Sequence, residues 1–183
     1  MLMDTTLKFV VERNVKAPTV GTSKSAGIDF YVPEDFKPTE IYELYSKLGY
    51  QTTDVPNFYY NSDNTIFKFT IPPGKSLFIP TGVRVRIPEN HILKFENKSG
   101  IASKKGLICG ACVVDEDYTG IIHINLWNAS KNFVDVMAGD KIIQGILYPI
   151  LLPSIEKVDS ADILYKDFST DRGEGGFGST GTK

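Results

Sequence analysis

Short apolar runs, several of them alternating with polar residues, recur along this chain between turn signals. Val83, Val85 and Ile87 alternate with Arg84 and Arg86, the period of two expected of a strand with one buried and one wet face. Comparable runs predict strands over residues 7–11, 27–32, 66–71, 83–87, 92–95, 121–127 and 142–147. Pro72-Pro-Gly74, Pro80-Thr-Gly82, Pro88-Glu-Asn90 and Ala138-Gly-Asp140 punctuate them as turns. Many short strands with frequent turns favour an all-β sandwich or barrel-like fold.

Two helices interrupt the pattern. Ile41, Leu44, Tyr45 and Leu48 fall at i, i+3, i+4 and i+7, with Thr39 as the expected N-cap and Gly49 just past the end. A short helical turn is expected over residues 99–105, opened by Ser99-Gly100. Residues 34–64 are polar and tyrosine-rich between two better-defined β regions and read as an insertion. Its tyrosines, Tyr42, Tyr45, Tyr50, Tyr59 and Tyr60, either pack on the β core or offer a surface to a protein partner. Residues 150–165 have no tight turn back onto a neighbour and suit an arm reaching another subunit. The resulting division is a β domain over 1–165 and a flexible Gly-rich C-terminal arm over 166–183.

The 183 residues, 42% hydrophobic and 23% charged, suit one soluble domain with its own core. A net charge of −2 argues against broad binding of nucleic acid or an anionic membrane, yet leaves room for a local anion site. No apolar run is long enough to span a bilayer, and Met1-Leu-Met-Asp-Thr5 lacks the pattern of a signal peptide. The expected location is cytoplasmic, or the cytoplasm or nucleus of a host cell for a viral protein. Cys109 and Cys112 form a lone C-x-x-C without a second pair or closely spaced histidines, so they read as small residues in tight backbone rather than as a zinc or redox site.

Five stretches can carry chemistry. Ala26-Gly-Ile-Asp29 places a carboxylate early in a strand, where it can bind backbone or meet a metal through water. Lys98-Ser-Gly-Ile-Ala-Ser-Lys104 opens a helical turn whose free N–H groups attract anions. Asp115-Glu-Asp-Tyr118 reads as the tip of a hairpin joining Val113-Val114 to the strand over 121–127. There a carboxylate can activate water and a tyrosine can cover a sugar face. Gly139-Asp-Lys-Ile-Ile-Gln144 is a turn and strand. The tail Arg172-Gly-Glu-Gly-Gly-Phe-Gly-Ser-Thr-Gly181 strings one cation, one aromatic ring and two hydroxyls along flexible backbone. Alone it is either a solubilising tail or a segment that a flat, anionic ligand would order.

Taken together and in this order, the five stretches resemble the five motifs of the trimeric dUTPase family, and they span nearly the whole chain. The resemblance implies a distorted β-barrel or jelly roll assembled as a homotrimer, with active sites at subunit interfaces closed by a neighbour's tail. It implies Mg²⁺-assisted hydrolysis of dUTP to dUMP and pyrophosphate, which limits uracil in DNA and supplies dUMP for thymidylate synthesis. Asp115 matches the general base that activates the attacking water, and Tyr118 the residue stacked on deoxyribose. Lys98, Ser99, Gly100 and Gln144 match phosphate-binding positions. Phe177 matches the ring over uracil, with Arg172, Gly178, Ser179 and Thr180 toward the terminal phosphates. Cys109, Gly110 and Cys112 fall in the segment that reads uracil. Asp29 matches an outer-shell partner of Mg²⁺, which the substrate phosphates mainly hold.

The sequence departs from the family pattern in three places. Asn97-Lys98 stand where Pro-Arg is usual, Lys141 where arginine is usual, and Thr119 where arginine often occurs. Lysine keeps the charge but loses the planar bidentate fork. Two other readings compete: a nucleotide-switched regulatory protein using residues 34–64, and an enzyme resembling dCTP deaminases, which would lack the Asp-x-Asp-Tyr tip and the Phe-Gly-Ser-Thr tail.

Overall fold

The computed structural model describes residues 5–175. In chain order the elements are β1 (Lys8–Val11), β2 (Thr19–Val20), β3 (Ile28–Tyr31), α1 (Pro38–Lys47), a 3-10 turn (Thr52–Asp54), β4 (Asn57–Tyr60), β5 (Ile66–Ile71), β6 (Ser76–Pro80), β7 (Val83–Arg86), β8 (His91–Asn97), α2 (Ser99–Lys105), β9 (Leu107–Cys109), β10 (Val113–Val114), β11 (His123–Asn128), β12 (Val134–Met137), β13 (Lys141–Pro149) and α3 (Ala161–Leu164). The strands form four sheets, ordered β1-β7, β10-β8-β13-β3-β2, β6-β11-β9 and β12-β5-β4. The fold is mainly β, as expected. Among the described residues no sheet closes on itself, so the architecture is a distorted jelly roll rather than a barrel.

Period-two alternation builds the core. Leu77 and Ile79 of β6, Leu93 and Phe95 of β8, Ile124 and Leu126 of β11, and Val134 and Val136 of β12 point inward, between exposed or half-buried neighbours. Strand β13 breaks the alternation: Ile142 and Ile143 are both buried, because the register with β3 shifts between Lys141 and Ile143. Asn128 is buried with its amide fully used. Its Nδ2 donates to the carbonyls of Ile71 and Asn132, each at 2.8 Å, and its Oδ1 accepts from Ser130.

The hairpin expected between Val113-Val114 and the strand over 121–127 does not form. Both edges of β11 are already taken, by β6 and by β9, and Val113–Val114 instead pairs with Lys94 and Leu93 of β8. The chain between β10 and β11 is therefore a loop bridging two sheets. Strands β2, β4, β6, β9 and β12 were not among those expected; they are short and lie close to the Pro, Gly and Asn signals that mask their alternation.

The segment 34–64 contributes to the core. Phe36, Ile41 and Tyr45 are buried, and β4 pairs with β5. Helix α1 begins two residues earlier than expected: Lys37, not Thr39, is its N-cap, and the Glu40 carboxylate accepts the Lys37 N–H at 2.8 Å, with Pro38 at the first helical position. Gly49, at φ +82°, takes the left-handed conformation that ends the helix. Tyr45 is the stitch to the β core. Its hydroxyl donates to the Ser76 carbonyl at 2.7 Å and accepts the Phe78 N–H at 3.2 Å, while its ring meets Phe78 edge-on. Burial pushes its phenol above the usual tyrosine range. Tyr42, Tyr50, Tyr59 and Tyr60 remain partly exposed.

Contacts divide the chain at Leu151/Leu152, upstream of the boundary at 165/166 read from the sequence. In the second unit, Ser160 caps α3 by accepting the Ile163 N–H, and Ile155 and Phe168 are exposed. Among the described residues no helix is long and apolar enough to cross a membrane.

Tyr45→Phe leaves the Phe78 N–H and one lone pair of Ser76 without partners in a buried setting. It is expected to cost about 1–3 kcal/mol in urea unfolding while leaving turnover unchanged. An unchanged midpoint would show that the stitch contributes nothing.

Candidate active site

Asp29 is the second residue of β3 and only 4% exposed. One carboxylate oxygen bonds Lys98 Nζ and the other bonds Lys141 Nζ at 3.0 Å. Burial pushes this carboxyl up, but the hydrogen bonds and charges of the two lysines outweigh that and hold it below the usual carboxylate range. Lys141 is correspondingly raised, through its bond to Asp29. The triad joins β3, the β8–α2 junction and the start of β13.

The registers of β13 bring the rest together. Gln144 lies opposite Asp29 on β3 and opposite Glu96 on β8. Its Nε2 donates to the Asn97 carbonyl at 3.0 Å. Gly27 provides the space for this amide, since a Cβ there would collide with Gln144 Oε1. Helix α2 follows directly: Lys98 is its N-cap, and Ala102 N–H donates to Lys98 at 2.9 Å, so Ser99 and Gly100 sit ahead of the helical ladder. Lys98, Ser99, Gly100, Lys104, Lys141 and Gln144 line one open cleft of about 460 Å³. Its chemistry is that of an anion site: four cations counting Lys105, a hydroxyl, an amide and unbonded N–H groups.

Asn97 ties this cleft to the next segment. Its Oδ1 accepts the Cys109 N–H at 2.7 Å. Gly110 N–H donates to the Asn125 carbonyl at 2.9 Å, and Cys112 O accepts the Phe95 N–H at 2.6 Å. Gly110 packs against the Asn125 amide, where a Cβ would lie 2.8 Å from Nδ2. The two cysteines are free thiols with sulfurs 3.7 Å apart, and burial together with Cys112 pushes the Cys109 thiol up to about 12. Among the described residues no three His, Cys, Asp or Glu side chains gather into a metal cluster.

Asp115 and Tyr118 sit on the loop after β10. Tyr118 N–H donates to the Asp115 carbonyl at 3.1 Å, and the Tyr118 hydroxyl donates to Ile121 O at 2.8 Å, folding the ring against Gly120. Glu116 anchors the loop by accepting the Asn90 N–H at 2.6 Å, and Arg84 binds Thr119 O at 2.8 Å. The exposed Asp115 carboxylate makes no hydrogen bond or ion pair among the described residues. Strand β10 pairs at Leu93, whereas the cleft begins at Lys98, so the loop and the cleft stand roughly 17 Å apart along β8. Within one chain, then, Asp29, Lys98, Ser99, Gly100, Lys141 and Gln144 come together, and Asp115 with Tyr118 form a second cluster. Arg172 Nε donates to Gly175 O at 2.8 Å in the second unit; Phe177, Gly178, Ser179 and Thr180 lie outside the described residues.

A family model described as dUTPase matches residues 66–181. The chain belongs to the dUTPase family. The deoxyuridine 5'-triphosphate nucleotidohydrolase of Rattus norvegicus is 32% identical over 179 residues, 97% of this chain and 68% of that protein. The enzyme of the same name from Monkeypox virus is 34% identical over 184 residues, covering 100% of this chain and 95% of that protein. Among solved structures, the dUTPase of Staphylococcus bacteriophage 80alpha with dUPNHPP matches with a TM-score of 0.68 at 20% identity, over 97% of this chain and 99% of that one.

Several residues of the site escaped the sequence reading, Lys104 and Lys105 of the cleft among them. Gly27 and Asn97 act on Gln144 and Cys109 through contacts distant in sequence, and Glu116 was passed over beside Asp115 and Asp117. Asn97, where the dUTPase pattern usually has proline, uses its side chain to hold the Cys109 N–H. Because the folded pKa of Asp29 lies below its unfolded one, the triad's contribution is complete above the usual carboxylate value of about 3.9 and fades as pH falls through the lower folded value. Asp29→Asn is therefore expected to lower stability by about 1–3 kcal/mol at neutral pH, discounted for the exposure of Lys141, and by progressively less as the pH falls below the usual carboxylate range. Paired denaturation curves across pH would check it; a difference that persists in acid would assign the loss to packing.

Proposed function

We propose that the protein hydrolyses dUTP to dUMP and pyrophosphate in sites completed between subunits of a homotrimer. The observation that carries this reading is the cleft where Ser99, Gln144 and several lysines converge, on a chain of the dUTPase family. The triphosphate lies there. Asp115 takes a proton from a water whose oxygen attacks the α-phosphorus. The bond from that phosphorus to the bridging oxygen breaks, and pyrophosphate leaves with the electron pair. A carboxylate suits the role because it can accept the proton at either of two oxygens.

Mg²⁺ bound to the phosphate oxygens supplies charge neutralisation. Asp29, with both oxygens engaged by lysines, would be open to it only through water, and the substrate phosphates would supply its other ligands. Uracil is read by the main chain of 110–112. The Gly110 carbonyl and the N–H groups of Ala111 and Cys112 make no hydrogen bond among the described residues. One acceptor and two donors are what the O2, N3–H and O4 edge of uracil requires, and cytosine mismatches them at two atoms. Tyr118 stacks on the deoxyribose, and the tail residues Arg172, Phe177, Gly178, Ser179 and Thr180 close over the nucleotide.

Sharing between subunits is supported by the separation along β8, since one nucleotide cannot have its α-phosphorus beside Asp115 and its phosphates in the same chain's cleft. Exposed apolar side chains, Val113 and Trp127 on strands and Leu152 and Ile155 in the second unit, suit burial against other copies.

Two measurements test the reading. Pyrophosphate release is expected from dUTP and not from dCTP, dTTP or UTP, and Asp115→Asn lowers it by about a thousandfold. Equal turnover of dCTP would sink the assignment. Co-refolding of Asp115→Asn with Gln144→Ala subunits is expected to restore activity in about a quarter of the sites, because some sites then draw an intact residue from each copy. No restoration would mean that each chain carries a whole site.

A further inference from the structure

We infer that Lys104 is a triphosphate-binding residue, the cation that the cleft holds in reserve for the terminal phosphates. This rests on the reading of the cleft as the phosphate end of the site.

The argument is a count of charges. Lys98 and Lys141 share the single carboxylate of Asp29, so the three together leave one positive charge. Lys105 donates to the Asp135 carbonyl at 2.9 Å and lies 3.8 Å from the Asp140 carboxylate. Lys104 has no ion pair and no hydrogen bond among the described residues, although it lines the cleft beside Ser99 and Gln144. Lys98 and Lys141 each keep N–H donors for a phosphate, but their charge is partly neutralised by the buried carboxylate, whereas Lys104 has nothing to give up.

Drawing both lysines fully onto a phosphate would strand Asp29 as a buried unpaired charge. Redirecting Lys104 costs only rotamer freedom on a flexible stem. Its position helps. Lys104 stands in the last turn of α2 and also borders a second hollow of about 470 Å³, lined by Ser103, Ser130 and Phe133 among others. It therefore stands on a ridge between two open spaces, where its ammonium can swing toward a ligand longer than the cleft itself.

The test compares wild type, Lys104→Gln and Lys104→Arg, with both substitutes good helix formers. Calorimetric affinities are measured for dUMP, for a non-hydrolysable imido analogue of dUTP, and for inorganic tripolyphosphate. Lys104→Gln is expected to weaken the analogue and tripolyphosphate about tenfold and to leave dUMP unchanged, while Lys104→Arg restores most of the loss. The loss should shrink with added salt. Unchanged affinity for both triphosphates overturns the inference, and so does an equal loss for dUMP, which would mark a general disturbance of α2. Tripolyphosphate separates this claim from the one it rests on. If it depends on Lys104 while the dUTP analogue fails to bind at all, the phosphate role stands and the nucleotide reading falls.

Discussion

The double pairing of β13 is the constraint on which the site depends. This strand bonds β8 along one edge and β3 along the other, so a single register places Gln144 beside Asp29 and beside the end of β8. Side chains change faces with every residue of slip, so a shift by one would turn Gln144 away from the cleft. Packing fixes the register. Ile142 and Ile143 are buried, and Gly145 lies so close to Leu93 that a Cβ would fall 2.8 Å from its Cδ1. The polar site at one end of the sheet is thus positioned by apolar contacts in its middle.

Onto that frame the chain adds a compact electrostatic arrangement. A carboxylate as buried as Asp29 is tolerable only because both of its oxygens are met by ammonium groups. The same bonds hold two lysines at the mouth of the cleft, where the dUTPase pattern usually has arginines. Lysine lacks a planar fork, so the partner it already has orients its ammonium and leaves the remaining N–H donors for a phosphate. The buried acid gives these flexible side chains the order that a guanidinium would carry by itself.

The sequence made the mainly β class, both early helices and the ordered set of site stretches readable, because each depends on local spacing. What was hidden depends on partners far along the chain. Val113 and Val114 look like one arm of a hairpin, yet which strand they join is decided by β6 and β9 having already occupied both edges of β11. Strand β6 went unread because Pro, Gly and Thr turns close on both ends of its five residues. Gly27 looks like any glycine until Gln144, from the far end of the chain, is laid against it. Lys37 took the cap expected of Thr39 because Pro38 fits the first helical position and Glu40 reaches back to the Lys37 N–H.

Residues 34–64 precede the region that the family model matches, and on composition they look like an added cassette. Tyr45 changes what such a cassette can be. With its hydroxyl bridging Ser76 and Phe78 and its ring under β6, it makes the segment a wall of the protein rather than an ornament on it. Its removal would open the hydrophobic interior above β5 and β6, where Phe36 packs on Phe69 and Tyr45 on Phe78. A chain built without this wall would need different, polar side chains on the faces of β5 and β6 that it now covers.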